Sequence, residues 1–341
     1  MALFKRTCYT QTKTERQTGI RRSSKMDIAF HTASDLAKFK EEIISILYRK
    51  YEEEMKHFPF LNYMSKDKFQ SYTDQHLAHT KIVLGMENER ITGVLLYHTW
   101  DKCGEKHIDI PVYGYGACPE DEDKIIGRLF QYMAQNEVAE GITNFSVHIY
   151  AHDFSVRQLF SFMQFGTMSE ICVRKAGTDH EKLTPYHIQN LTKSQITENW
   201  SCIWALTKNI IDHLKESPVF YKGDEFTEET YRAFYLDEST TVYAAYDDLG
   251  EMIGIIESNG EENSFVCAGD KSVNVGEVYV LPEYRRSGLA QDLLFYAEKS
   301  VLEQGAAFMW VEHGTANPNA RGFWNRYFDT YQYEMIRQVV W

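Results

Sequence analysis

Residues 285–290, with the sequence RRSGLA, have the composition of an anion-binding turn. A strand pattern over residues 276–281 precedes the turn, and a helical pattern follows it. Backbone amides at the start of a helix, together with the positive end of its dipole, bind phosphate where small side chains let the backbone approach. Gly288 and Ala290 are small, and the two arginines add positive charge, although paired arginines at a turn are more often a solvated surface. The pattern therefore predicts a phosphate site whose specificity depends on its context.

The elements that would position this turn occur twice in the chain, at an offset near 164 residues. Leu129 falls on Leu293, and Gly141 falls on Gly305, where each glycine ends a helical pattern and precedes a strand pattern. The apolar spacing of one helix face then repeats further along the chain. Agreement over this many elements indicates an internal repeat.

The repeat also predicts the fold class. Residues 81–97 and 240–257 both have the pattern of a β-hairpin, and each is followed by a strand, a helix, a strand and a helix. Strands joined through crossover helices imply parallel pairing within a mixed sheet. We therefore expect an α/β (α+β) protein of two tandem domains, residues 26–177 and 178–341, each a mixed twisted sheet flanked by helices.

Two segments in the second half of the chain resemble sequence motifs of a single protein family. Residues 278–294, VYVLPEYRRSGLAQDLL, closely resemble the acetyl-CoA motif of the GNAT superfamily of N-acetyltransferases, a strand ending in V-x-P-x-Y-R followed by x-x-G-x-A/G. Residues 317–324, NPNARGFW, resemble the family's N-x-x-A-x-x-L/F-Y helix. The resemblance covers residues 186–341 well and the first half by the order of its elements. It implies two tandem GNAT-like domains.

The resemblance implies acetyl-CoA (coenzyme A) as the cofactor and indicates how it would be held. Backbone amides after Arg285 would bind the pyrophosphate, and the strand before the turn would pair with the pantetheine arm. Asn317 would orient a pantetheine amide, and it is equally well placed to cap the start of its helix. No metal is expected. The predicted cofactor-binding residues are Val278, Tyr279, Val280, Arg285, Arg286, Ser287, Gly288, Leu289, Ala290, Gln291, Asn317 and Trp324.

Acyl transfer to an amine needs a base, because an alkyl amine with a pKa of about 10.4 is almost wholly protonated at neutral pH. Glu277, at the start of the cofactor strand, is the leading candidate, and an exposed strand-end glutamate is the alternative interpretation. His313, at the end of the opposite strand, is the second candidate. Trp324 stands where the family has a tyrosine that protonates the departing thiolate. Tyr327, one turn later, is the remaining candidate acid, and its spacing is also typical of a core residue.

The turn at the equivalent position in the first half has the opposite charge. Residues 121–124, DEDK, fall on residues 285–288, RRSG, so that acidic side chains replace basic ones and the glycine is lost. Acidic side chains repel pyrophosphate. Phe160 falls at the tyrosine position of the helix. We therefore expect the first half to keep the fold without binding coenzyme A, which leaves one active site per chain.

Charge and composition restrict the partners. The formal net charge is -13, but residues 1–25 carry seven Lys and Arg against one Glu, so the remainder is at -19. We expect residues 1–25 to be a basic, disordered tail and the acidic body to favour a cationic small-molecule or peptide amine over nucleic acid. The sequence lacks an apolar stretch of about 18 residues, a signal peptide and a CxxC pair. The expected location is the cytoplasm, without a membrane partner.

The sequence thus predicts an N-acyltransferase that moves an acetyl group from acetyl-CoA to a primary amine by direct attack. A non-catalytic acyl-CoA-binding regulatory module is the alternative, suggested by the tryptophan at the position of the family's acid. A third hypothesis, acyl transfer from a charged transfer RNA, fits the duplicated fold but conflicts with the acidic body.

Overall fold

The structure is a computed structural model that describes residues 26–31, 33–77, 80–102, 104–177, 181–223, 226–260, 264–269 and 271–339. The basic tail predicted for residues 1–25 lies outside the described residues.

Strands and helices follow the same order in the two halves. In the first half they are β1 (Asp27–His31), α1 (Ala33–Met55), α2 (Lys66–Leu77), β2 (Thr80–Glu87), β3 (Arg90–Lys102), β4 (Glu105–Ile110), β5 (Tyr115–Ala117), α3 (Glu122–Ala139), β6 (Asn144–Tyr150), α4 (Phe154–Phe162) and β7 (Gly166–Lys175). In the second half they are β8 (His187–Asn190), α5 (Lys193–Glu198), α6 (Trp200–Lys215), α7 (Glu228–Leu236), β9 (Thr240–Tyr246), β10 (Met252–Asn259), β11 (Ser272–Val275), β12 (Tyr279–Val280), α8 (Leu289–Glu303), β13 (Phe308–Gly314), α9 (Pro318–Tyr327) and β14 (Asp329–Gln338).

Equivalent residues of the repeat have equivalent environments. Leu129 on α3 and Leu293 on α8 are both fully buried. Gly141 and Gly305 follow the same two helices with φ angles of 86° and 79°, the left-handed conformation that glycine adopts without a steric penalty. The internal repeat is therefore a repeat of structure.

The strands form a mixed sheet flanked by helices, which confirms the predicted fold class. The hairpins β2–β3 and β9–β10 are antiparallel. Two pairs are parallel, β4 with β6 and β11 with β13, and each pair is connected through a helix as the sequence predicts. None of the described helices is long and apolar enough to cross a membrane.

The two halves exchange their last strands. Across the centre of the sheet the order is β4-β6-β14-β7-β13-β11. Thus β14, from the second half, pairs with β6, whereas β7, from the first half, pairs with β13. Packing follows the exchange, since Tyr331 and Met335 of β14 lie in the same hydrophobic cluster as the core of the first half. One continuous sheet results, and the repeat pattern offers no sign of this exchange.

Candidate active site

The strand predicted over residues 276–281 is interrupted in the structure. β11 ends at Val275, and β12 contains only Tyr279 and Val280. β11 pairs with β13 as far as Asn274, whereas β12 pairs with β10. The central strands of the second half therefore diverge after Asn274, and one edge of β12 faces the opening.

A side chain from the neighbouring strand causes the interruption. Glu257 on β10 is buried, and a β-carbon added to Gly276 would overlap its Oε1 atom. The same oxygen accepts a hydrogen bond from the backbone amide of Glu277 at 3.1 Å. Because a carboxylate takes the place of a strand partner here, the ladder breaks and position 276 requires glycine.

Glu277 lies at this break and is held by α7. The hydroxyl of Tyr231 donates a hydrogen bond to its Oε1 atom. Its Oε2 atom is buried and has no hydrogen-bond partner among the described residues. Burial raises the pKa of Glu277 to about 7, and the hydrogen bond from Tyr231 opposes part of that rise. A carboxylate with a pKa near neutrality is well matched to accepting a proton at physiological pH.

Helix α6 runs across the opening between the diverging strands. It packs against β12, and in its last turn the Nε2 atom of His213 lies 3.3 Å from the Oδ1 atom of Asn317. Asn317 is the N-cap of α9, since the same oxygen accepts the backbone amides of Asn319 at 3.1 Å and Ala320 at 3.2 Å. The capping interpretation of Asn317 therefore holds, and its contact with pantetheine stays a prediction.

The predicted phosphate turn precedes α8 directly. Arg286 and Gly288 have φ angles of 65° and 100°, so two left-handed residues fold the backbone tightly before the helix begins. Turns of this kind direct successive amides toward an anion, and the first amides of a helix have no acceptor within it. The hydroxyl of Ser287 takes one of them, the amide of Leu289, at 3.3 Å.

Charge and side-chain volume at the turn also fit an anion. Both arginines are exposed. Arg285 is held back along β12, because its Nε donates to the carbonyl of Val280 at 3.0 Å and its guanidinium lies 5.2 Å from the ring centre of Tyr279. A β-carbon on Gly288 would lie 3.0 Å from Leu183, so the small residue serves the packing of Leu183 as well as the positive φ.

His313 lies in a buried network at the seam between the exchanged strands. Its Nε2 atom is 3.0 Å from Oδ1 of Asn325 and 3.5 Å from Oε1 of Glu170 on β7. Burial lowers the pKa of His313. None of the described contacts connects His313 with Glu277, so the two candidate bases occupy separate environments.

The aromatic residues of α9 face the core. Trp324 is buried against Phe323 and Phe328. The hydroxyl of Tyr327 donates to Oε1 of Gln291 at 2.8 Å, which ties α9 to the first turn of α8. The described contacts bring neither residue to Glu277, and the role of Tyr327 as an acid stays a prediction.

In the first half, the opening beside β5, which is equivalent to the opening beside β12, is filled by protein side chains. Tyr115, which the repeat places on Tyr279, crosses from β5 to β6, where its hydroxyl accepts the amide of Tyr150 at 3.2 Å and donates to Asp153 at 3.1 Å. Lys50 binds both Asp153, at 2.7 Å, and Glu122, at 2.9 Å. Glu122 is the residue of the first half that is equivalent to Arg286. The turn before α3 therefore carries a carboxylate, whereas the equivalent turn before α8 would bind phosphate.

Two residues of the site escaped the sequence analysis. Tyr231 has the spacing of a core residue on α7, and Glu257 lies in an ordinary strand pattern. Neither belongs to a local motif, so their roles depend on the packing of α7 and β10 against the break.

Comparison with known proteins agrees with this geometry. Residues 207–329 match the family model described as the acetyltransferase (GNAT) family. The sequence matches no curated protein. A GCN5-related glucosamine N-acetyltransferase region of a fungal multi-domain GH3 β-N-acetylglucosaminidase is 13% identical with a TM-score of 0.51, over 93% of this chain and 38% of that one. This chain thus spans about two fifths of that protein's length, and at such identity the similarity bears on the fold alone.

Two further solved structures are similar. The GCN5-related N-acetyltransferase from Sphaerobacter thermophilus is 13% identical with a TM-score of 0.49, over 80% of this chain and 85% of that one. The tandem GNAT protein from the clavulanic acid biosynthesis pathway is 11% identical with a TM-score of 0.47, over 92% of this chain and 98% of that one.

Proposed function

We propose that the second half of this chain, in which residues 207–329 match the family model of the GNAT acetyltransferases, transfers an acetyl group from acetyl-CoA to a primary amine. The observation that carries the proposal is Glu277, a half-buried carboxylate with its pKa raised to about 7, at the point where the central strands diverge. It lies in the strand segment that leads to the phosphate turn.

The turn and β12 provide what coenzyme A requires. The amides of residues 286–291 and the two exposed arginines would hold the pyrophosphate at the start of α8. The edge of Tyr279 and Val280 that faces away from β10 would pair with the amides of the pantetheine arm. When bound, coenzyme A supplies the thioester whose acetyl group is transferred.

Glu277 and Tyr231 perform the proton transfer in this proposal. Glu277 takes a proton from the ammonium group of the acceptor, directly or through water, and Tyr231 holds the carboxylate in place. The neutral amine would then form a C–N bond to the acetyl carbon as the C–S bond breaks, and the nitrogen would give its second proton to the departing thiolate, so that the products are the amide and the free thiol. Thiolate leaves without an acid at modest cost, because a thiol has a pKa of only about 8.5.

The acceptor is proposed to be a small-molecule or peptide amine that carries positive charge. Glu277 lies at the break beside β12, where the carboxylate of Glu257 accepts a hydrogen bond from its backbone amide. The whole chain has a net charge of -13. Negative charge of this kind concentrates cations at a cleft.

A specific observation favours a second function. Trp324, at the position of the family's acid, is buried in the core and has no ionisable group. A chain that binds acyl-CoA without turning it over would have no need of an acid at this position.

The two functions separate in one experiment. The chain is incubated with acetyl-CoA and a panel of polyamines, aminoglycosides, amino acids and peptides, and release of the free thiol is measured. Acetyl transfer to a cationic amine that is lost in Glu277→Gln and retained in Glu303→Gln, an exposed glutamate at the end of α8, supports the enzyme. Tight binding of acetyl-CoA with no acceptor acetylated supports the regulatory module.

A further inference from the structure

Three metal-ligating side chains meet in the first half, beside the Tyr115 that fills its opening. Glu54 lies in the last turn of α1, His57 follows that helix, and His152 follows β6. One ligand atom from each lies within 4.8 Å of the others. The two imidazole rings are stacked, with centroids 3.8 Å apart and planes 5° from parallel. Because an imidazole nitrogen binds a metal in the plane of its ring, one of the two rings must turn before both can bind the same ion.

Two of the ligand atoms are buried and unpaired. Glu54 is 5% exposed, and neither its Oε2 atom nor Nδ1 of His152 has a hydrogen-bond partner among the described residues. The two atoms are 3.7 Å apart, which is too far for a hydrogen bond. That separation is close to the distance of about 3.4 Å between two ligands of a tetrahedral ion with bonds of about 2.1 Å. Buried polar atoms are rarely left without a partner.

The local charge favours a dication. Lys50 faces two carboxylates, Glu122 and Asp153, so one negative charge there is uncompensated. Ionised Glu54 adds a second negative charge. A cation with two positive charges would balance the group.

We propose that Glu54, His57 and His152 bind one Zn²⁺ ion. Two imidazole nitrogens and one carboxylate oxygen are a ligand set that zinc accepts, with a fourth position for water. The exposed ring of His57 gives the ion a route from solvent and the freedom to turn toward it. The bound ion would satisfy both unpaired atoms and tie the end of α1 to the end of β6.

A second cluster, Glu170, Cys172 and His313 on β7 and β13, also has the composition of a metal site. Its carboxylate oxygens already accept hydrogen bonds from Asn325 at 3.1 Å and Thr330 at 3.0 Å, and His313 is bonded to Asn325. Both carboxylate oxygens of Glu170 and Nε2 of His313 are thus hydrogen-bonded within the protein, whereas the buried Nδ1 of His313 has no hydrogen-bond partner among the described residues. This second cluster is the competing zinc site that the experiment must distinguish from Glu54, His57 and His152.

The test uses the full chain without a histidine tag. Protein is equilibrated with Zn²⁺, freed of excess metal by gel filtration, and analysed for zinc by plasma mass spectrometry. We expect one zinc ion per chain in the wild type and none in His57→Ala or His152→Ala. His107→Ala removes an imidazole that is stacked on Trp100 at 4.7 Å, away from the cluster, and should retain the zinc.

Two further measurements keep the proposal open to refutation. Zinc should raise the unfolding temperature of the wild type and leave that of His57→Ala unchanged, and His57 is exposed, so this variant should fold. The chain loaded with Co²⁺ should show d–d bands and no sulfur-to-cobalt charge transfer. The proposal would be overturned if the wild type bound no zinc or if His57→Ala and His152→Ala both retained it. A sulfur charge-transfer band, which would place the ion at Cys172, would also overturn it. Acetyl transfer is assayed separately and bears on the other half.

Discussion

Glu277 owes its expected pH dependence to burial opposed by one hydrogen bond. A base works in its ionised form, so a pKa of about 7 predicts that kcat/KM rises as pH increases through 7. Glu277→Gln should lower turnover at neutral pH about 10²- to 10⁴-fold, the usual contribution of a general base. Partial recovery should occur at high pH, because more of the amine is already neutral. Full activity of this variant would move the base to His313 or Tyr327.

Tyr231 should determine the pH at which kcat/KM rises. Its hydrogen bond lowers the pKa of Glu277, so in Tyr231→Phe the pKa should rise and the increase in kcat/KM should shift to higher pH. The plateau value should change little, because the carboxylate itself remains. Tyr246→Phe, which removes a phenol from β9, is the matched control. A profile that keeps its midpoint in Tyr231→Phe would show that the phenol does not act through Glu277.

The sequence could indicate Glu277 as a candidate base but could not indicate the residues that contact it. Glu277 follows from its place at the start of a strand that leads to a recognisable turn. Tyr231 and Glu257 lie 46 and 20 residues away along the chain. Their contacts exist only once α7 and β10 have packed against the break, and the spacing of apolar residues carries no information on that packing.

At the scale of the element, the proposed coenzyme A site lies at the start of α8. Gly288→Val would force a β-branched residue to a φ of 100° and against Leu183, at a cost of about 1–2 kcal/mol for the left-handed conformation alone. Arg285→Glu would place negative charge at the phosphate site. Calorimetry should show coenzyme A binding lost in both variants and retained in Lys299→Glu, the same charge reversal on an exposed position of α8. Unchanged affinity in folded variants would remove the pyrophosphate assignment.

The same helix anchors the segment before β8. Asp292, which is buried, accepts the amides of Leu183 at 2.9 Å and Thr184 at 2.8 Å and the hydroxyl of Thr184 at 2.6 Å. Asp292→Ala would leave these donors unpaired and should cost about 3 kcal/mol of unfolding free energy, measured with urea. Asp292→Asn keeps one acceptor oxygen and should cost less. Equal stability of the three proteins would mean that solvent replaces the carboxylate.

Local patterns predicted most elements and misplaced one. The hairpins and the helix after the turn have the apolar periods expected of them, and they occur where the sequence indicates. The strand over residues 276–281 does not form as a unit, because the carboxylate of Glu257 enters its ladder at Gly276. When a side chain from another strand interrupts a strand, the alternation of apolar and polar residues in the interrupted strand does not indicate it.

For the whole molecule, the two halves should differ in ligand capacity. Calorimetric titration should give one mole of coenzyme A per mole of chain, because Tyr115 crosses the opening of the first half and Glu122 occupies its turn. A measured stoichiometry of two would mean that these side chains move aside for the ligand.

The exchange of β7 and β14 could not be predicted, because the two strands are equivalent members of the internal repeat. The two strands occupy equivalent positions in equivalent halves, so swapping them leaves every local pattern and every connection unchanged. The partner of each strand is then decided by contacts between residues far apart in the sequence, such as Ser146 with Glu334, which are 188 positions apart. A single sequence contains no record of that choice.

The exchanged strands also impose an order on synthesis. When a ribosome has made Lys175, β7 exists, but its neighbours β13 and β14 do not, and β6 lacks the strand that completes its edge. The remaining residues to Gln338 take roughly 8 to 30 s at 5–20 residues per second. During that interval the nascent first half displays an unpaired strand edge, the kind of surface to which chaperones and other nascent chains attach. Neighbouring ribosomes on one message would therefore hold chains whose β6 and β7 edges are unpaired at the same time.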